Sequence, residues 1–327
     1  MDILSLPKIE LHCHLDGSLP PEFIRRYLLN RFGESVEDRE MMVDPDCHDL
    51  AECLKKFDLP LRCLQDRAGL EEAGYQILRQ AAAENVRYIE TRFAPAQSTA
   101  EGLTMREVIR AVLDGMERGN VFGVKWGVLL CAMRGRPEEE NRQMLEAGRE
   151  FLGAGVAGAD LAGDEARYPM AEYKELFTDA IAMGYPLTLH AGECGSVENI
   201  REAVQIGARR IGHGVAMAGH PEVQRLCREK GIGIELCPTS NFQTRAVRAP
   251  EGYPLREFLD AGLLATVSTD NRTVSGCSLT GELTLAREKL GVTDRELVQM
   301  QENAVRASFA DAETKEALLN ELNGWVE

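Results

Sequence analysis

Two of the chain's six histidines, His12 and His14, lie one residue apart at the end of the apolar run 8–14, KIELHCH. In a β-strand, residues i and i+2 point to the same face, so both imidazoles can converge on one point. His190 and Asp270 each lie near the end of another strand-like run. A third imidazole and a carboxylate from these positions would complete a four-ligand metal site.

Nitrogen and oxygen ligands in this number suit Zn²⁺, and Fe²⁺, Co²⁺ or Mn²⁺ accept the same donors. A bound divalent metal lowers the pKa of its water from about 15.7 to about 7, which supplies hydroxide at neutral pH. Two further groups could assist. Glu193, three residues after His190 in HAGE, could protonate a substrate heteroatom if burial raises its pKa. His213, in RIGHG, could take the water proton or stabilise developing negative charge.

Each of these residues also has an ordinary structural interpretation. An HxH pair can arise by chance, Glu193 can form a salt bridge, and His213 can be a core residue. Because four of the six histidines fall at predicted strand ends, metal chemistry is favoured. The other two, His48 and His220, lie in loop or helix-start contexts and are expected at the surface.

Eight apolar or β-branched runs are spaced mostly about 20 to 40 residues apart, which suits a strand, a crossover helix and two loops. The runs are 8–14, 87–95, 124–134, 155–163, 185–193, 209–215, 231–238 and 263–271. The segments between them carry apolar residues at helical spacing, and Thr104 with Glu107 forms a capping box. This α/β alternation predicts a (β/α)8 TIM barrel, whose catalytic residues lie at the C-terminal strand ends. A doubly wound open sheet fits the same pattern.

Two regions exceed the repeat. Residues 18–86 predict extra helices after strand 1, and residues 277–327 predict two or three helices at the C-terminus. Because no Pro/Ser-rich linker interrupts the chain, we expect one domain over residues 1–327.

The composition excludes several classes of function. The net charge of −16 argues against nucleic acid as a partner, which needs a basic face. The sequence contains no apolar run of about 18 residues, so no membrane span is predicted. Nine cysteines without a CxxC pair, and an N-terminus without a secretory signal pattern, predict reduced thiols in the cytoplasm.

Six motifs occur in one characteristic order: LPKIELHCHLDGS (6–18), DLAGDE (160–165), LHAGE (189–193), RIGHG (210–214), LCPTSN (236–241) and STDN (268–271). With them the chain resembles the adenosine deaminase family of the amidohydrolase superfamily. The resemblance implies a zinc-dependent enzyme of purine metabolism that deaminates adenosine, and 2′-deoxyadenosine, with zinc-bound hydroxide as the nucleophile. Its partner would be a small 6-aminopurine nucleoside. Oligomeric state is not indicated.

The resemblance also implies residue roles. It makes His12, His14, His190 and Asp270 the ligands of one Zn²⁺ per subunit, with Asp270 also catalytic because it helps hold the water. Glu193 would protonate purine N1, and His213 would orient and deprotonate the water.

On the substrate side, the resemblance places His14 beside the substrate. Asp16 would bond a ribose hydroxyl and the Gly163 backbone would donate to purine N3. The segment 50–65 resembles an apolar lid, whose expected wall residues are Phe57, Leu59 and Leu61.

One position departs from the family pattern. The family has two consecutive acids after the last strand, whereas this chain has Asp270-Asn271. The second acid contacts purine N7 in the family, and an asparagine amide can also donate there. Deamination of adenine or aminodeoxyfutalosine therefore remains an alternative. More remote alternatives are a metal-dependent ester, lactone or amide hydrolase and a non-catalytic scaffold.

Overall fold

The architecture consists of eight parallel β-strands connected in sequence by helical segments. The computed structural model describes residues 1–44, 47 and 50–325, so His48 lies outside the described residues. The strands are β1 (Lys8–His14), β2 (Val86–Phe93), β3 (Lys125–Met133), β4 (Val156–Ala162), β5 (Thr188–Ala191), β6 (Arg210–His213), β7 (Gly233–Leu236) and β8 (Leu264–Val267). Each predicted run overlaps one of them.

The helices of the described ranges fall between the strands and at the C-terminus. They are α1 (Pro21–Phe32), α2 (Asp38–Met41), α3 (Leu50–Leu54), α4 (Asp58–Arg62), α5 (Arg67–Ala83), α6 (Met105–Arg118), α7 (Glu138–Arg149), α8 (Lys174–Ala182), α9 (Val197–Ile206), α10 (Pro221–Glu229), α11 (Pro238–Gln243), α12 (Leu255–Asp260), α13 (Leu279–Lys289), α14 (Asp294–Ala307) and α15 (Ala312–Asn323). Helices α1 to α5 are the predicted insertion after β1, and α13 to α15 are the predicted C-terminal helices.

The capping box predicted at the start of α6 is present. Thr104 Oγ1 accepts a hydrogen bond from the Glu107 backbone N–H over 3.3 Å, and the Glu107 carboxylate accepts one from the Thr104 N–H over 2.9 Å. Two N–H groups that the first helical turn leaves unpaired are thereby satisfied.

The strands form two four-stranded sheets, β1 to β4 and β5 to β8, which meet at both edges. A parallel bridge joins β4 to the segment just before β5, and a second pairs Cys13 of β1 with Asp270 just after β8. The Asp270 N–H donates to the His12 carbonyl over 2.9 Å, and the His14 N–H donates to the Asp270 carbonyl over 2.6 Å. This arrangement is the predicted (β/α)8 barrel rather than an open doubly wound sheet.

Several buried strand positions are charged, although strands covered on both faces are usually apolar. Glu10, Arg92, Asp160, Arg210 and Glu235 are all 0% exposed. An unpaired buried charge costs several kcal/mol, so each of these residues needs a partner. Arg92, Asp160 and Glu235 pair with one another beneath the candidate site. Along the part of the chain that the structure describes, every helix is too short or too polar to cross a bilayer.

Candidate active site

Five polar side chains meet where the strands end: His12 and His14 at the end of β1, His190 in β5, His213 at the end of β6, and Asp270 after β8. Asp270 Oδ1 lies 3.4 Å from both His12 Nε2 and His14 Nε2. His14 Nε2 lies 3.2 Å from His190 Nε2. The four residues predicted as metal ligands are therefore adjacent in space. His213 is close as well. One ring nitrogen each from His12, His190 and His213 and one carboxylate oxygen of Asp270 all lie within 4.8 Å of one another.

This cluster has the donor chemistry of a divalent metal site. His12 Nε2 is buried and has no hydrogen-bond partner among the described residues. Leaving such a nitrogen unpaired costs about 1–3 kcal/mol, so its presence calls for a ligand. Imidazole nitrogens and a carboxylate are the ligands that zinc and related divalent ions accept. The residues present thus fit a metal ion.

Two buried carboxylates set the protonation of the histidine rings. His12 Nδ1 lies 2.8 Å from Glu235 Oε2, and His190 Nδ1 lies 2.9 Å from Asp160 Oδ2. Because an ionised carboxylate only accepts hydrogen bonds, the neutral rings carry their proton on Nδ1. Their Nε2 lone pairs are then directed at the cluster, as metal ligation requires.

Arg92 links these two carboxylates. Its Nη1 donates to Asp160 Oδ2 over 2.7 Å and its Nη2 donates to Glu235 Oε2 over 2.9 Å. Burial by itself would raise the pKa of both acids, but the charge of Arg92 and the hydrogen bonds from the facing histidines hold both pKa values well below the usual range. This layer was not predicted from the sequence. Its signal was present, since Asp160 and Glu235 are charged residues inside buried strand runs.

Glu193 lies at the rim of the cluster and is 6% exposed. Burial, together with the negative charges of Asp270 and Glu165, raises the pKa of Glu193 to about 8. The side chain is then largely protonated at neutral pH and can donate a proton. Its Oε2 lies 3.6 Å from His213 Nε2.

The protonation of His213 follows from Asn241, another residue that the sequence analysis did not assign. The Asn241 side-chain oxygen accepts a hydrogen bond from the Tyr253 hydroxyl over 2.9 Å, so its Nδ2 group faces His213 Nδ1 at 3.0 Å. Burial and the neighbouring His12 lower the pKa of His213 well below its usual value. In this arrangement the neutral ring accepts at Nδ1 and carries its proton on Nε2, toward the cavity.

The backbone is specialised at the same places. His213 has φ +63° and Asp270 has φ +61°, a region that residues other than glycine rarely adopt. Such conformations persist where the surroundings fix them, often at functional sites. Gly212 leaves room for the cluster, because a Cβ there would lie 2.9 Å from His12 Cε1.

A cavity of about 230 Å³ opens directly above the cluster. All five residues predicted on the substrate side line it: His14, Asp16, Phe57, Gly163 and Asn271. Of the other two predicted wall residues, Leu61 lines the cavity, whereas Leu59 packs against the hydrophobic core.

The described lining of the cavity offers several polar oxygens. Asp16 Oδ1 and Asn271 Oδ1 are buried and have no hydrogen-bond partner among the described residues. None of the described lining residues is lysine or arginine. The acids among them are Asp16, Asp58, Glu193 and Asp270, and burial raises the pKa of Asp16 to about 7 and that of Glu193 to about 8. A ligand with hydroxyl or amine donors and no negative charge matches this lining.

Comparison with known proteins agrees with this geometry. The family model described as adenosine deaminase matches residues 7–325. Adenosine deaminase from Enterococcus faecalis is 41% identical over 322 residues, which cover 97% of this chain and 96% of that protein.

Solved structures share the fold over almost the whole chain. Adenine deaminase from Arthrobacter aurescens superposes with a TM-score of 0.88 at 26% identity and covers 98% of this chain and 99% of its own. ADAL from Arabidopsis, solved in complex with IMP, has a TM-score of 0.89 at 26% identity and covers 99% of this chain and 98% of its own.

Proposed function

The chain belongs to the adenosine deaminase family, and we propose that it acts as a single domain that hydrolyses adenosine and 2′-deoxyadenosine to the corresponding inosine and ammonia. The observation that carries this proposal is the position of the buried Glu193, whose pKa is raised by that burial, beside a cluster of histidines and Asp270. An acid and a metal site at one end of a cavity are the two groups that hydrolysis of a 6-aminopurine requires.

The proposed cofactor is one Zn²⁺ per chain, held by His12, His14, His190 and Asp270. His14 is preferred to His213 as the third imidazole, because Asn241 occupies His213 Nδ1 and leaves the proton on Nε2. When bound, the metal supplies Lewis acidity that makes water a nucleophile at neutral pH.

The protein's own residues handle the protons. Glu193 would donate its proton to purine N1, which withdraws electrons from C6 so that the water oxygen can bond there. The His213 Nε2–H would donate to that oxygen as negative charge develops there. Of the two roles that the sequence left open for His213, this geometry favours charge stabilisation over removal of the water proton. Asp270 would help orient the water. Of the two protons of the water, one would restore Glu193 and the other would pass to the 6-amino nitrogen. Rupture of the C6–N bond would then release ammonia and leave the 6-oxo product protonated at N1.

The cavity lining supports a nucleoside rather than a nucleotide. We propose that Asp16 accepts from a ribose hydroxyl, that the Gly163 N–H donates to purine N3, and that the Asn271 amide donates to N7. Phe57 would cover the apolar face of the base. A 5′-phosphate would find no lysine or arginine to pair with among the described lining residues, which disfavours its binding.

The test is ammonia release from a panel of 6-aminopurines: adenosine, 2′-deoxyadenosine, adenine, aminodeoxyfutalosine and AMP. We expect adenosine to give the highest kcat/KM and AMP the lowest. Glu193→Gln should retain the metal and lose nearly all turnover. Preference for adenine or aminodeoxyfutalosine would reassign the substrate, and wild-type turnover in Glu193→Gln would remove Glu193 from the chemistry.

A further inference from the structure

The loop that carries Glu193 is bound to a single carboxylate. Glu165 Oε1 accepts from the Gly192 N–H over 2.6 Å, and its Oε2 accepts from the Glu193 N–H over 2.8 Å and the Cys194 N–H over 3.1 Å. The Asn199 side-chain amide donates to Oε1 over 2.8 Å. Three consecutive backbone N–H groups thus converge on one acidic side chain, as in an anion-binding nest.

Glu165 reaches this loop from a distant part of the chain. It follows β4 in the motif LAGDE, and it is 3% exposed. Asn199, in the first turn of α9, is itself fixed because its side-chain oxygen accepts from the Met170 N–H over 3.0 Å. Glu165 is not among the described cavity-lining residues, so it does not touch a ligand there.

We propose that Glu165 is a positioning residue, which holds the backbone at Glu193 so that the acid faces the purine. Glu193 is buried next to the negative charge of Asp270, and its Oε2 lies 3.6 Å from His213 Nε2, which is longer than a hydrogen bond. Its backbone is held directly, because all three N–H groups of residues 192–194 end on Glu165. The inference rests on the proposed function, since it assumes that Glu193 is the acid.

The first test is Glu165→Gln, which preserves volume but replaces one acceptor oxygen with an NH₂ group that faces N–H donors. We expect faster hydrogen exchange of the amides at 192–194, with exchange in β1 unchanged and metal content unchanged. We expect kcat to fall about 10- to 100-fold, the scale for a misplaced catalytic group.

Glu282→Gln is the matched control. Glu282 is also buried and also accepts a backbone N–H, from Thr239 over 3.0 Å, but it does not contact the 192–194 loop. This variant should leave the exchange of 192–194 unchanged. If Glu165→Gln does not fold, the shorter acid in Glu165→Asp should give the same changes in exchange and kcat.

A double-mutant cycle with Glu193→Gln separates positioning from general damage. If Glu165 acts through Glu193, adding Glu165→Gln to Glu193→Gln should cause no further loss of kcat. Losses that multiply, or unchanged exchange and kcat in Glu165→Gln, would overturn the proposal. If the wild-type protein released no ammonia from any 6-aminopurine, the proposed function would fail, while the exchange measurement would still test the role of Glu165 in the loop.

Discussion

Replacement of Asp160 by asparagine should weaken metal binding although Asp160 is not a ligand. Asp160 Oδ1 accepts from the Leu161 N–H over 2.7 Å and from the His190 N–H over 3.3 Å. Asp160 Oδ2 faces two further donors, His190 Nδ1 at 2.9 Å and Arg92 Nη1 at 2.7 Å. In Asp160→Asn the amide oxygen can remain on the backbone N–H groups, so the NH₂ group must face the other two donors.

His190 can relieve this conflict by moving its proton from Nδ1 to Nε2. The ring nitrogen that faces the cluster would then carry a proton and could not bind a cation. Loss of such an outer partner typically lowers metal affinity about 10- to 100-fold, which corresponds to about 1.4 to 2.7 kcal/mol.

The assay is competition for Zn²⁺ between the protein and a chromophoric chelator, with thermal unfolding recorded for each variant. Glu282→Gln is the control, because it neutralises a buried acid that does not contact the histidines, and its metal affinity should remain within about twofold of wild type. Wild-type zinc affinity in folded Asp160→Asn would refute the claim that this carboxylate sets the protonation of His190.

Three further outcomes are expected. Because protonated Glu193 is the proposed donor and burial raises its pKa to about 8, kcat/KM should fall as the pH rises through that value; a flat alkaline profile would contradict this. In Gly17→Ala, the new Cβ would lie 2.0 Å from Asn271 Oδ1, so Asn271 must move, and steady-state kinetics should show a KM for adenosine raised about tenfold with a smaller change in kcat. In Asn241→Asp, a carboxylate would face His213 Nδ1, so the neutral ring would carry its proton there and lose the Nε2–H that the proposed donor role needs. Steady-state kinetics should show kcat lowered about 100-fold, the scale for loss of one charge-stabilising donor, whereas wild-type kcat would argue against this role of the Asn241 contact.

Local sequence patterns were sufficient for the elements and for the central residues. The alternation in KIELHCH places His12 and His14 on one face of a strand, because strand side chains repeat every two residues. Strand-like runs separated by helical segments indicate parallel strands, because a parallel connection needs a long crossover. The strand ends then place His190, Glu193, and Asp270 at the same end of the barrel.

The supporting layer could not be predicted in the same way. Asp160 and Glu235 are acids in otherwise apolar runs, and no local pattern indicates that each faces a histidine from another strand. Leu59, expected in the cavity wall, packs against the core, because it lies two residues from the cavity-lining Leu61 in the helix α4 and the two side chains point to different faces.

The sequence by itself determined which groups are available for chemistry and that strands present them at one end of a barrel. Only the tertiary structure decided which of those groups touch, because that depends on the junction of β1 with the segment after β8 and on the burial that results. The same burial raises the pKa of Glu193 and brings His12 and His213 to their hydrogen-bonding partners. These are effects of long-range packing, which spacing along the chain does not encode.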